Sequence, residues 1–164
     1  MQLWCNKYHR IFIRMLLLTG MMDLGLPPDQ CIAVCQAGLR RGEDYYRLQA
    51  AELLNRVDQK NPLENFDLDE LLHAGDVGVR VNAAAIHWRR KHQAAAVVPV
   101  LIDSLDRNKY QSYYYPQIQP VALATLGDIG PEARAAIPAL EQAARDPNPD
   151  VAKFATATLA KIRK

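Results

Sequence analysis

Apolar residues recur along the chain in pairs four apart. Cys35 and Leu39, Leu68 and Leu72, Leu101 and Leu105, and Leu140 and Ala144 occupy matching places in segments that begin at Ala33, Phe66, Pro99 and Pro138. A spacing of four puts both members of a pair on one helical face. A second apolar element follows each start, at the same distance in three of the four. Val79-Arg80-Val81-Asn82-Ala83-Ala84 resembles Tyr46-Arg47-Leu48-Gln49-Ala50-Ala51, one unit earlier. Ile118-Gln119-Pro120-Val121-Ala122 follows after a longer step, and Val151-Ala152-Lys153-Phe154-Ala155 after a step equal to that from Tyr46 to Val79. The same step taken back from Tyr46 reaches Ile13-Arg14, with Leu17 and Leu18 where the other copies carry small residues. The pattern predicts a repeated unit of helix, short turn and helix. Neither helix is long enough to be stable alone, so stacking of neighbouring units must supply the core.

A segment not used to set this register tests it. The interval from Asp23-Leu24-Gly25 to Asp128-Ile129-Gly130 equals that from Ile13 to Ile118. Turn residues fall where the pattern needs them, at Gly42-Glu43-Asp44, Gly75-Asp76 and Asp146-Pro147-Asn148-Pro149-Asp150. Asn148 followed by Pro149 reads as an N-cap with proline in the first turn, and Pro131 as a helix opener after Gly130. Ala50, Ala83, Ala122 and Ala155 recur at one position of the second helix, where a small side chain lets neighbouring hairpins approach closely.

Composition narrows the picture further. The 164 residues are 49% apolar, enough for a substantial core and against disorder. Twenty lysines and arginines face 18 acids, so net charge alone singles out neither nucleic acid nor a membrane surface. Cys5, Cys31 and Cys35 have no metal-binding spacing and cannot all pair with one another, which fits a reducing, cytoplasmic setting. Lys7, Arg10 and Arg14 surround an apolar run from Ile11 to Met22 that invites a signal-peptide reading. Arg14 interrupts the run, no small-x-small cleavage pattern follows, and the run is too short to span a bilayer, so no membrane association is expected. A helix at the end of the array suits it better.

The stretches Leu126-Gly127-Asp128-Ile129-Gly130-Pro131-Glu132-Ala133 and Ala136-Ile137-Pro138-Ala139-Leu140, with Asp146-Pro147-Asn148-Pro149-Asp150-Val151, strongly resemble bacterial HEAT repeats. The likeness is specific over residues 96–164 and weaker over 10–95. It implies an all-α fold, a right-handed α-α superhelix (an α-solenoid) of about four helical hairpins plus an N-terminal half-repeat. Residues 1–164 then form a single HEAT-like domain, with the half-repeat at 10–25 and repeats at about 26–60, 61–93, 94–130 and 131–164. In that family an aspartate in the turn often meets an arginine at the second position of the second helix, linking adjacent repeats. Asp44 with Arg47 and Asp76 with Arg80 match; Gln119 and Ala152 depart, so the ladder should stop short of the C-terminal half. The resemblance also implies a surface that binds proteins or, less often, nucleic acid. The array opens in mid-unit, which suggests a segment or accessory module of a larger multidomain protein. HEAT stretches of this kind follow hydrolase domains, sulfatase-like ones included, but no sulfatase nucleophile motif is present here.

Departures from the repeat are where function should show. The longer step from Val79 to Ile118 places an insertion around Asn108 to Gln117 containing Tyr110, Tyr113, Tyr114 and Tyr115. Exposed, these tyrosines would suit a protein interface; packed, they would cover a groove between repeats. His87-Trp88-Arg89-Arg90-Lys91-His92 is the second departure. Arg80, Arg89, Arg90 and Lys91 could grip a phosphate backbone or an acidic protein. The plainer reading is that cations complement a helix C-terminus while Trp88 packs on the core. His87 replaces Leu54, Leu126 and Leu159 of the other units and reads as a hydrogen-bonded core residue. His87 and His92 are five apart, a poor spacing for a metal pair, and Glu64, Asp67, Asp69 and Glu70 form an acidic run where a helix start favours it.

No phosphate loop, nucleophile elbow or Cys/His arrangement is recognisable, so no catalytic, cofactor or metal residue is assigned. The leading expectation is a non-catalytic protein-interaction scaffold, using the tyrosine insertion and the face made by successive second helices. The alternatives are a nucleic-acid-binding solenoid using the basic cluster and an enzyme-associated or lyase-type HEAT-like protein. Self-association through the uncapped first unit is a further expectation.

Overall fold

In the computed structural model the chain divides into two compact units, Met1–Asp67 and Leu68–Lys164. The structure describes Gly20, Arg47, Ala50, residues 68–110 and residues 115–164, the last without the side chains of 115–117. In the first unit the three described residues are helical and Ala50 is fully buried. Cys35, Leu39, Asp44 and Gly42 lie outside the described residues, as do the half-repeat 10–25 (apart from Gly20) and most of repeat 26–60.

The described residues of the second unit form helices joined by turns, with no strand among them. It runs α1 (Leu68–Leu71), α2 (Val77–Lys91), α3 (Ala94–Asp103), α4 (Tyr115–Ile129), a 3-10 segment (Gly130–Ala136), α5 (Ile137–Ala143) and α6 (Pro149–Ile162). α2 packs on α4 and α4 on α6. α1 and α3 lie against α2, α3 also touches α4 and the 3-10 segment, and α5 rests on α6. The helices thus form two layers, one of the longer second helices and one of the shorter first helices.

The three apolar pairs within the described residues face this shared core. Leu68, Leu72, Leu101, Leu105 and Leu140 are buried, while Ala144 is half-buried. Ala83, Ala122 and Ala155 are fully buried in the second-helix layer. Close approach is visible at Gly127, where an added Cβ would sit 3.3 Å from the Lys161 side chain. Thr158 ties the same two helices together, its hydroxyl donating to the Leu123 carbonyl at 3.2 Å.

Helix ends follow local chemistry. The Asp76 carboxylate caps α2 by accepting from the Val79 N–H at 3.0 Å. His92 closes that helix in the left-handed region at φ 50°, its N–H bonded to the Trp88 carbonyl at 2.9 Å. Asn148 caps α6 by accepting from the Asp150 N–H at 3.0 Å, with Pro149 in the first turn as its missing donor allows.

Two details differ from the sequence pattern. α3 starts at Ala94, ahead of Pro99, because the alanine run 94–96 favours helix and the exposed outer side tolerates the bond that Pro99 removes. Pro131 opens a 3-10 segment, not an α-helix. Gly130 turns the chain at φ 68°, and Ala133 kinks it again before α5.

Candidate interaction groove

The second-helix layer leaves a groove of about 440 Å³ across its surface. Ala85, Trp88 and Arg89 reach it from α2, Pro120, Val121, Ala124, Thr125 and Asp128 from α4, and Phe154 from α6. The spacings of three and four within each helix put these residues on one face. The floor offers little hydrogen bonding, since Thr125 is buried and its hydroxyl already donates to the Val121 carbonyl at 2.8 Å. Trp88 is half-buried and stands edge-on to the His92 ring, 5.1 Å between centroids. Phe154 is the exposed large apolar residue among those described, at 36%. Arg89 and Asp128 are both exposed on the rim. The Arg89 Nε–H donates to the Ala85 carbonyl at 3.2 Å, which stands the guanidinium along its own helix.

A second concavity, of about 580 Å³, lies elsewhere on the unit, between Leu72–Gly75, α3 and the turn after it. Arg80 organises it. The guanidinium donates to the Ala74 carbonyl at 2.7 Å, the Gly75 carbonyl at 3.1 Å and the Tyr110 hydroxyl at 2.6 Å, and reaches Asp103 at 3.5 Å. The Tyr110 hydroxyl and the Lys109 ammonium both donate to Asp103. Partial burial pushes the Asp103 carboxyl up, but hydrogen bonds from Lys109 and Tyr110, with the charges of Lys109 and Arg80, hold it below its ordinary value. The Asp103 hydrogen bond in turn raises the Lys109 ammonium. The family-style pairing of Asp76 with Arg80 is therefore replaced. Asp76 spends its carboxylate on the α2 cap, and Arg80 turns to Asp103 at the end of α3, in the next hairpin.

Of the four tyrosines, Tyr110 is the one whose side chain is described. Tyr110 is half-buried and committed to Arg80 and Asp103. Tyr115 begins α4, and Tyr113 and Tyr114 lie outside the described residues. The basic residues lie in different surroundings. Arg80 belongs to the Tyr110 cluster and Arg89 to the groove, Arg90 is half-buried, and Lys91 reaches the Asp69 carboxylate at 3.3 and 3.5 Å.

His87 is fully buried, and its Nε2 lies 2.7 Å from Asp69 Oδ1. A carboxylate only accepts, so Nε2 carries the proton. Burial pushes the Asp69 carboxyl up, yet bonds from Lys91 and His87 and their charges hold it below its ordinary value. The other ring nitrogen, Nδ1, is buried with no hydrogen-bond partner. Leu126 and Leu159 fill the equivalent places on α4 and α6 and are buried as well. Replacing His87 by leucine removes the unpartnered nitrogen and restores the repeat's own residue, while exposed Asp69 keeps Lys91. The variant should be more stable by about 1 kcal/mol. A lower thermal midpoint than that of the unaltered chain would show that the Asp69 bond outweighs the buried nitrogen.

Sequence reasoning did not identify Phe154, Val121 or Asp128 as surface features. A signal existed: in the repeat register Phe154 falls where α2 has Asn82 and α4 has Val121, so an aromatic occupies a slot that faces outward. Among the described residues no group of three potential metal ligands comes together, and no helix is long and apolar enough to cross a membrane. Compared with protein-family models, curated proteins and solved structures, the chain matches none.

Proposed function

We propose that the chain is a non-catalytic protein-interaction scaffold of the HEAT type, a right-handed α-α solenoid whose second helices hold a partner in the groove between Trp88 and Phe154. The solenoid reading rests on the repeated hairpin register, the alternation of first and second helices between two layers, and the buried alanines at equivalent seam positions. The binding reading rests on one observation above the others: a solvent-exposed phenylalanine beside a half-buried tryptophan, on a groove with an apolar floor. Aromatic anchors of this kind carry most of the energy of protein interfaces.

The test is comparative capture from extract of the source cells with the full chain, its Phe154→Ser variant and a Tyr113→Ser/Tyr114→Ser variant, each checked for equal helix content by circular dichroism. Loss of Phe154 should weaken capture of a specific protein about tenfold or more, as truncation of an anchor does. Loss only in the tyrosine variant would move the interface to the insertion. Capture abolished by nuclease treatment would turn the reading toward nucleic acid, whose binding should also fall steeply with salt.

A further inference from the structure

The groove rim carries a charge pattern that the repeat register makes visible. The interval from Arg89 on α2 to Asp128 on α4 equals that from Val79 to Ile118, and the interval from Asp128 to Lys161 on α6 equals that from Ile118 to Val151. These are the steps that relate the helices themselves. The three residues are therefore one structural slot on successive helices, and their charges alternate plus, minus, plus. All three are exposed. Arg89 and Asp128 line the groove, and the Lys161 stem lies against Gly127, next to Asp128. None of them forms an ion pair with another described residue. An alternating row left open at the edge of an apolar groove is complementary to a second alternating row. It is poorly matched to a polyanion, which Asp128 would repel.

Building on the scaffold reading above, we infer that the groove takes an extended peptide segment of a partner protein, lying across the second helices and carrying an acidic, a basic and an acidic residue in turn. Packed helices stand about 8–10 Å apart, and an extended chain in the polyproline II form advances about 3.1 Å per residue with about three residues per turn. The matching charges thus fall about three positions apart, on one face of the peptide, in the order Glu-x-x-Lys-x-x-Glu, where x is any residue. Apolar residues at some of the x positions meet Trp88, Val121 and Phe154.

Two display libraries test this, one with the fixed framework Glu-x-x-Lys-x-x-Glu and one with Lys-x-x-Glu-x-x-Lys, all x positions randomised. Each is selected against the full chain, against an Arg89→Glu/Asp128→Lys/Lys161→Glu variant and against Phe154→Ser, after circular dichroism has shown the three proteins equally helical. The unaltered chain should enrich the first framework at least tenfold over the second, and the triple variant should reverse that order. Phe154→Ser should enrich neither. If both proteins prefer the same framework, or neither distinguishes them while Phe154→Ser still abolishes enrichment, the charge pattern is overturned and the groove reading stands. Enrichment unaffected by Phe154→Ser overturns both.

Discussion

Replacing Leu126 by alanine should destabilise the chain by about 2–5 kcal/mol. Leu126 is fully buried at the slot that His87 and Leu159 fill in neighbouring helices, so it faces the centre of the two-layer core rather than one edge. α4 is also the helix that touches both other second helices, α2 and α6, as well as α3 and the 3-10 segment. A cavity there withdraws contacts from two interfaces at once. Denaturant unfolding of the full chain followed by circular dichroism measures the effect. A loss below about 1 kcal/mol would mean that α4 closes over the gap, which the seam alanines Ala83, Ala122 and Ala155 leave little room to do.

Arg80→Met should cost about 2–3 kcal/mol, although it keeps most of the side chain's apolar stem. The guanidinium satisfies the carbonyls of Ala74 and Gly75 in the turn before α2 and, through Tyr110 and Asp103, fixes that turn to the following hairpin. Only 16% of the side chain is exposed, so water does not readily replace these bonds. The penalty should depend on pH. Asp103 has a folded-state pKa below its ordinary 3.8, so its ionic contribution is fully present above that value and is lost as pH falls through the lower folded value. Between Arg80→Met and the unaltered chain the stability gap should therefore narrow on acidification below about pH 4. A gap that stays constant down to about pH 2 would assign the whole effect to the two carbonyls. Because Asp103 is more than a third exposed, solvent screening keeps the ionic share small.

The helical character of the second unit was legible because it depends on spacing, and spacing survives in a single sequence. Leu68, Leu72, Leu101, Leu105 and Leu140 declare a buried face by their separation, and the Asn148-Pro149 pair declares a helix start by its chemistry. Arg80 was harder. An aspartate and an arginine four apart read as a pair, but the nearer carboxylate had an N–H to cap, and the available one sat 23 residues away in Asp103. Which of two plausible acceptors wins is decided by backbone geometry. Tyr110 changes meaning for the same reason: as one of four tyrosines it suggests an interface, while the fold has already committed its hydroxyl. The groove was least legible. Trp88 reads in the sequence as part of a basic cluster, whereas Phe154 and Asp128 gain significance only when three helices from successive repeats lie side by side. The capture experiment separates a contribution of the insertion's Tyr113 and Tyr114 from that of Phe154.

The tie from Thr158 to Leu123 spans 35 residues, and that from Arg107 to Asp146 spans 39. Both join neighbouring hairpins. Among the described residues the helices that touch are near neighbours in sequence, so each hairpin can dock on the one before it as it leaves the ribosome. The synthesis of this unit therefore need not wait for its last residue, and the apolar face left open at any moment is that of a single hairpin.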